Sequence, residues 1–195
     1  MRRRDFITLV GGTALAYPLA VRAEQPRMLS RVASLWDPTT GMSQVQLTES
    51  AAESLNIELK VLEVRRREAL AGAFETARGE KAEALNVFSS PFLASLYRNI
   101  IELAAEHRLP AIYQWKEHAE AGDLISYGPS LSGMWHQNAM IVAKVLRGAK
   151  PADLPVEQPT KFELVINLKT ANALGITIPL PLFARADEVV EYLGE

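Results

Sequence analysis

The sequence predicts an α/β fold with a layered, mostly parallel sheet, and three observations lead to it. Short apolar runs alternate with amphipathic helical stretches between residues 31 and 113. Helix punctuation falls where that alternation needs it, at Ser90-Pro91 for a start and Gly79 for a stop. Hydrophobic residues make up 48% of the 195, enough for a real core. Strand–helix alternation of this kind is stable when crossover helices cover both faces of a parallel sheet.

Each element follows from its pattern. Residues 31–36 are a short apolar run closed by Asp37-Pro38, a buried strand. From Met42 to Leu55, Val45, Ala52 and Leu55 recur at helical spacing, with Thr39 or Thr40 as the cap. Ile57 to Val61 alternates with period two and reads as a strand. Residues 66–78 place Ala69, Leu70, Ala73, Phe74 and Ala77 on one stripe, an amphipathic helix. A third strand covers 84–88. A helix runs from Ser90-Pro91 to about His107 with Leu93, Leu96, Ile100 and Ala104 on one face, and a fourth strand covers 110–113.

Beyond Tyr113 the rhythm changes. Residues 115–121 predict one or two helical turns, 124–127 a short strand, and 131–146 a long amphipathic helix behind Gly128-Pro129-Ser130. Residues 149–161 form a proline-containing linker, 162–168 a strand, and 170–174 a short helix closed by Gly175. Pro179 and Pro181 exclude a central strand, because proline has no amide donor, and 176–195 read as a surface tail.

Residues 1–23 read as an export signal. A basic cluster, Met1 to Arg4, precedes the uncharged stretch Phe6 to Val21 and a small-residue cleavage site after Ala23. Arg3-Arg4-Asp5-Phe6-Ile7 has the twin-arginine pattern. The apolar run is shorter than a bilayer span and carries Gly11, Gly12 and Pro18. The expected location is the periplasm.

Composition excludes several function classes. The absence of cysteine removes disulfide frameworks, thiolate metal sites and cysteine nucleophiles. A net charge of −2 argues against nucleic acid as a partner. His107, His118 and His136 have no helical metal spacing and read as surface or capping residues, so neither a metal nor a cofactor is expected. Asp37 ends the first strand where some phosphatases carry a nucleophile, but Thr39 stands where their second carboxylate would be. Nucleophile-elbow and dinucleotide-loop motifs are also missing, and no enzymatic activity is expected.

In an open parallel sheet, ligands bind beyond the carboxyl ends of the strands. That rule selects the turns Trp36–Thr40, Phe88–Ser90, Tyr113–Lys116 and Tyr127–Ser130, each joining an aromatic ring to small polar groups. Asp37, Thr39, Ser89, Ser90 and Tyr127 are the candidate ligand-binding residues. They supply hydrogen bonds and a flat apolar contact for a small molecule.

Several stretches resemble a known family. They are Arg2-Arg3-Arg4-Asp5-Phe6-Ile7, Leu109 to Tyr113, Ala121 to Ser130 and above all Arg147 to Leu174. The chain resembles the ABC-transporter substrate-binding proteins, in the group that includes binders of tryptophan and other aromatic amino acids. That resemblance implies a type 1 periplasmic-binding fold, in which two α/β lobes close on a small ligand and dock on a membrane permease. It implies one lobe here, residues 31–113 with 162–175, without most of the first lobe. The strand–helix segment 123–148 would be a leftover of the otherwise missing lobe, and 149–161 its linker. The expected function is that of an exported solute-binding component of an ABC importer, truncated, taking an amino acid or a small aromatic or organic solute. The alternative is a non-catalytic interaction module, a homodimer through the 131–146 helix, or a remnant of such a binder. Where the family commonly has asparagine in the first turn and an acidic residue in the third, this chain has Trp36-Asp37 and Ser89-Ser90.

Overall fold

The computed structural model describes residues 29–191, so the export signal predicted at 1–23 lies outside the described residues. One seven-stranded sheet organises them. Its strands are β1 (Arg31–Trp36), β2 (Glu58–Glu63), β3 (Ala84–Val87), β4 (Ala111–Tyr113), β5 (Ile125–Pro129), β6 (Phe162–Asn167) and β7 (Glu188–Val190). The order across the sheet is β2-β1-β3-β4-β5-β6-β7. Every neighbouring pair is parallel except β5 with β6.

The helices are α1 (Ser43–Ser54), α2 (Ala69–Gly79), α3 (Pro91–Ser95), α4 (Tyr97–Glu106), α5 (Lys116–Glu120), α6 (Leu131–Leu146), α7 (Leu168–Leu174) and α8 (Leu180–Phe183). One continuous core joins Leu35, Leu85 and Val87 of the sheet to Leu70 and Phe74 of α2 and to Leu93 and Ile100 of the third crossover. Fully burying each large side chain of this kind is worth roughly 1.5–3 kcal/mol. Among the described residues, no helix is long and apolar enough to cross a membrane.

The structure departs from the sequence expectations at several points. Thr39 and Thr40 do not cap the first helix. They belong to a 3-10 turn, Pro38–Thr40, that Asp37 caps, and α1 begins only at Ser43. The helix after Ser90 is broken at Leu96, whose φ of −104° and ψ of 8° leave the α region. The predicted stripe survives the break, with Leu93, Leu96, Ile100 and Ala104 all buried.

The 176–195 tail is not wholly a surface segment. Glu188 to Val190 add the edge strand β7 beside Val165 to Asn167, where the β-branched Val189 and Val190 suit a pleated surface. Pro179 and Pro181 fall at the start of α8, where the missing amide donor costs nothing. The 123–148 segment is not a unit apart either. Its strand β5 lies inside the sheet between β4 and β6. Only α6 stands away, with none of its residues buried, and Trp135 and Leu146 are 66% and 82% exposed.

Candidate functional site

Because β1, β3, β4 and β5 run parallel, their carboxyl ends gather at one edge of the sheet. The turns that follow them meet there. Trp36 starts the first turn, and its indole Nε1 donates to Gly41 O at 3.1 Å, so the ring spans the loop.

Asp37 is 2% exposed and ties this edge together. Its Oδ1 accepts from Thr39 N at 3.0 Å and Thr39 Oγ1 at 2.8 Å. Its Oδ2 accepts from Ser90 Oγ at 2.5 Å. Burial pushes the Asp37 carboxyl up, but the hydrogen bonds from Ser90 and Thr39 together outweigh that and hold it below the usual carboxylate range. Ser90 also accepts from Phe92 N at 3.0 Å and Leu93 N at 3.2 Å, capping α3.

Gln44 of α1 forms a second tie. Ser89 N donates to Gln44 Oε1 and Gln44 Nε2 donates to Ser89 O, each at 2.9 Å. This two-bond clamp fixes the backbone of the third turn against α1.

On the α1 side of the sheet lies an open depression of about 480 Å³. Gln44 and Thr48 line one side, Asn86 and Ser89 the floor, and Gln114 and Tyr127 the other side. Tyr127 is 57% exposed, and its ring stands 5.9 Å from that of Phe162. The polar lining consists of amides and hydroxyls, suited to hydrogen bonding an uncharged or zwitterionic molecule against an aromatic face.

Gly128 of β5 is required for this geometry. A Cβ at Gly128 would sit 2.2 Å from Gln114 O and 2.9 Å from Gln114 Cγ. Only glycine lets the chain of β5 approach Gln114 so closely.

Of the predicted site residues, Ser89 and Tyr127 line the depression. Asp37, Thr39 and Ser90 sit together beside it as an internal brace, their polar atoms used by one another. Gln44, Asn86 and Gln114 were not singled out from the sequence. Asn86 had a signal, as the one polar residue in the apolar run 84–88. Gln114 sits within a turn that the sheet-edge rule does select.

Behind the edge lies a buried polar cluster. His118 is buried, contrary to its expected surface or capping place, with its ring 5.3 Å from that of Tyr97 and 4.9 Å from that of Tyr113. Burial pulls His118 down to about 4, so the imidazole is neutral at physiological pH. Burial also pushes the Asp123 carboxyl well up and, with the nearby Asp123 charge, the Tyr113 phenol up.

Comparison with known proteins agrees with this architecture. A conserved domain protein from Vibrio cholerae O1 biovar El Tor superposes with a TM-score of 0.77 at 25% identity, covering 83% of this chain and 55% of that one. The ABC domain in complex with L-Trp from Streptococcus pneumoniae superposes with a TM-score of 0.76 at 25% identity and the same coverages. CD0873, a substrate binding protein with adhesive properties from Clostridium difficile, shares the fold at 18% identity, with a TM-score of 0.60 over 84% of this chain and 55% of its own. The chain thus spans little more than half the length of these structures. No curated protein matches the sequence. The family model described as ABC transporter substrate binding protein matches residues 27–190, nearly all of what the structure describes. With that match and a parallel sheet whose strand ends frame an uncharged depression, the chain belongs to the ABC transporter substrate-binding protein family.

Proposed function

We propose that the chain captures a small uncharged or zwitterionic organic solute, an amino acid or a small aromatic, as the solute-binding component of an ABC importer. The observation that carries this reading is the depression at the carboxyl edge, where Gln44, Ser89, Gln114 and Tyr127 converge. The L-Trp complex of the Streptococcus pneumoniae relative supports an aromatic amino acid as the first solute to test. In this reading Asp37, Thr39 and Ser90 act on the ligand indirectly, by holding the two turns that shape the wall.

Calorimetric titration with L-Trp, L-Phe, L-Tyr and L-Leu tests it. The expected result is saturable binding of at least one, weakened severalfold by Tyr127→Ala. Absence of heat and of any thermal shift across the panel at millimolar concentration overturns it.

The proposal includes export to the periplasm, with Arg3-Arg4 as a twin-arginine signal cut after Ala23. Amino-terminal sequencing of the exported protein should read Glu24 first, and Arg3→Lys with Arg4→Lys should block export. The permease partner is part of the same proposal.

A second reading, an interaction module, is favoured by the exposed apolar residues of α6, among them Trp135, Met140, Val142 and Leu146. A concentration-dependent dimer abolished by Trp135→Ser with Leu146→Ser, in a protein that binds no solute, would select it.

A further inference from the structure

A second pocket of about 290 Å³ lies at the opposite edge of the sheet from the depression described above. Topology puts it there. Leu109 and Asp123 immediately precede β4 and β5, so they mark the amino edge of the parallel strands. β6 runs antiparallel to β5, so α7, which follows β6, is delivered to that same edge. The pocket therefore opens between the end of α4 and α7.

Its floor is apolar and buried, formed by Ala104, Leu109, Ala111 and Leu124. Its rim carries two exposed cations, Arg108 and Lys169. Arg108 Nη2 donates to Ala173 O at 3.2 Å, which lays the guanidinium across from α4 to α7 and leaves its other N–H donors free to bind a ligand. Neither cation forms an ion pair among the described residues.

Asp123, also part of the lining, is 3% exposed, and its Oδ2 is buried without a hydrogen-bond partner. Burial raises its carboxyl well above the usual range, which disfavours the charged form in this pocket. Thr170 Oγ1 donates to Gly122 O at 2.7 Å and so fixes the turn that carries Asp123 to α7.

We propose that this amino-edge pocket binds a small organic monoanion with an apolar body, its charged head between Arg108 and Lys169 and its body on the floor of Ala104, Leu109 and Leu124. Two cations on the rim of an apolar floor match such a ligand in charge and in polarity. The site is separate from the carboxyl-edge depression and does not depend on the importer reading.

The test is a two-dimensional ¹⁵N NMR titration of the chain with 4-hydroxyphenylacetate, with the neutral 4-hydroxyphenylacetamide as control. Saturable shifts are expected at Leu124, Lys169 and Ala173, with Thr39 and Ser89 unmoved. The amide should bind at least tenfold more weakly. Arg108→Asn combined with Lys169→Gln should lose at least tenfold in affinity, and the exposed Lys169→Gln alone a smaller part of it. Equal binding of acid and amide, wild-type affinity in the double variant, or shifts confined to the carboxyl edge would each overturn the proposal.

Discussion

Ser90 Oγ donates to Asp37 Oδ2 over 2.5 Å, joining residues 53 positions apart at the ends of β1 and β3. The same hydroxyl oxygen accepts from two amides of α3. One small side chain therefore caps a helix and fastens two loops of the candidate site.

Replacing Ser90 by Ala should destabilise the fold by about 2.5–4 kcal/mol. Loss of an N-cap costs about 1 kcal/mol, and loss of a hydrogen bond to a charged group about 1.5–3 kcal/mol. Urea unfolding should show a lower midpoint with an unchanged slope. A shift of under 0.5 kcal/mol would mean that the bond contributes nothing.

Acid should weaken the same brace. The Asp37 carboxyl is depressed in the folded state, so its contribution is complete above the unfolded-state carboxylate value and is lost as pH falls through the folded one. The stability gap between wild type and Asp37→Asn should then be flat from neutrality to about pH 5 and shrink below it. Paired urea titrations between pH 3 and 7 measure that gap.

His118 should behave in the opposite chemical sense with the same pH direction. Its folded value of about 4 lies below the ordinary histidine value of 6.5, so between them the unfolded chain binds more protons. Stability contributed by the neutral ring is full above the unfolded value, falls as pH drops below it, and levels off below the folded one. The His118 ring resonances should titrate with a midpoint near 4, and a midpoint near 6.5 would show that the ring is not buried as described.

Gly128→Ala should damage the carboxyl edge more than a loop substitution would. The added Cβ meets Gln114 O at 2.2 Å, and backbone must move to admit it. Overpacking of this kind costs about 1–3 kcal/mol. Because Gln114 lines the depression, solute affinity should fall in the same variant while far-ultraviolet circular dichroism stays unchanged.

The sheet was largely legible in the sequence because its strands are short apolar runs bounded by strong punctuation. Ser90-Pro91 and Gly175 act where their chemistry predicts, the latter closing α7 at a φ of 73°. β7 was not legible, since three residues after a proline-rich stretch carry too little periodicity, and only pairing with β6 makes them a strand. The site was half legible. Strand polarity points to the edge where the depression lies, and aromatic and hydroxyl residues cluster in its turns. It did not separate residues that line the depression from residues that hold the loops, because Asp37 and Ser90 find each other only in three dimensions. The Gln44 clamp was hidden for the same reason, being a contact across 45 positions.

The single antiparallel pair in the sheet has a wider consequence. Pro129 pairs with Phe162, and just beyond them Ser130 N donates to Lys161 O at 3.0 Å. The chain leaves and re-enters the sheet through one doorway, so everything between is a detour whose route the sheet does not need. Closing a shorter loop costs less entropy, about 0.6 kcal/mol for each halving of length. Residues 131–160 are thus a removable cassette. A variant with a short Asn-Gly-containing turn in their place should keep the sheet and its cooperative unfolding, while shedding the apolar surface of α6.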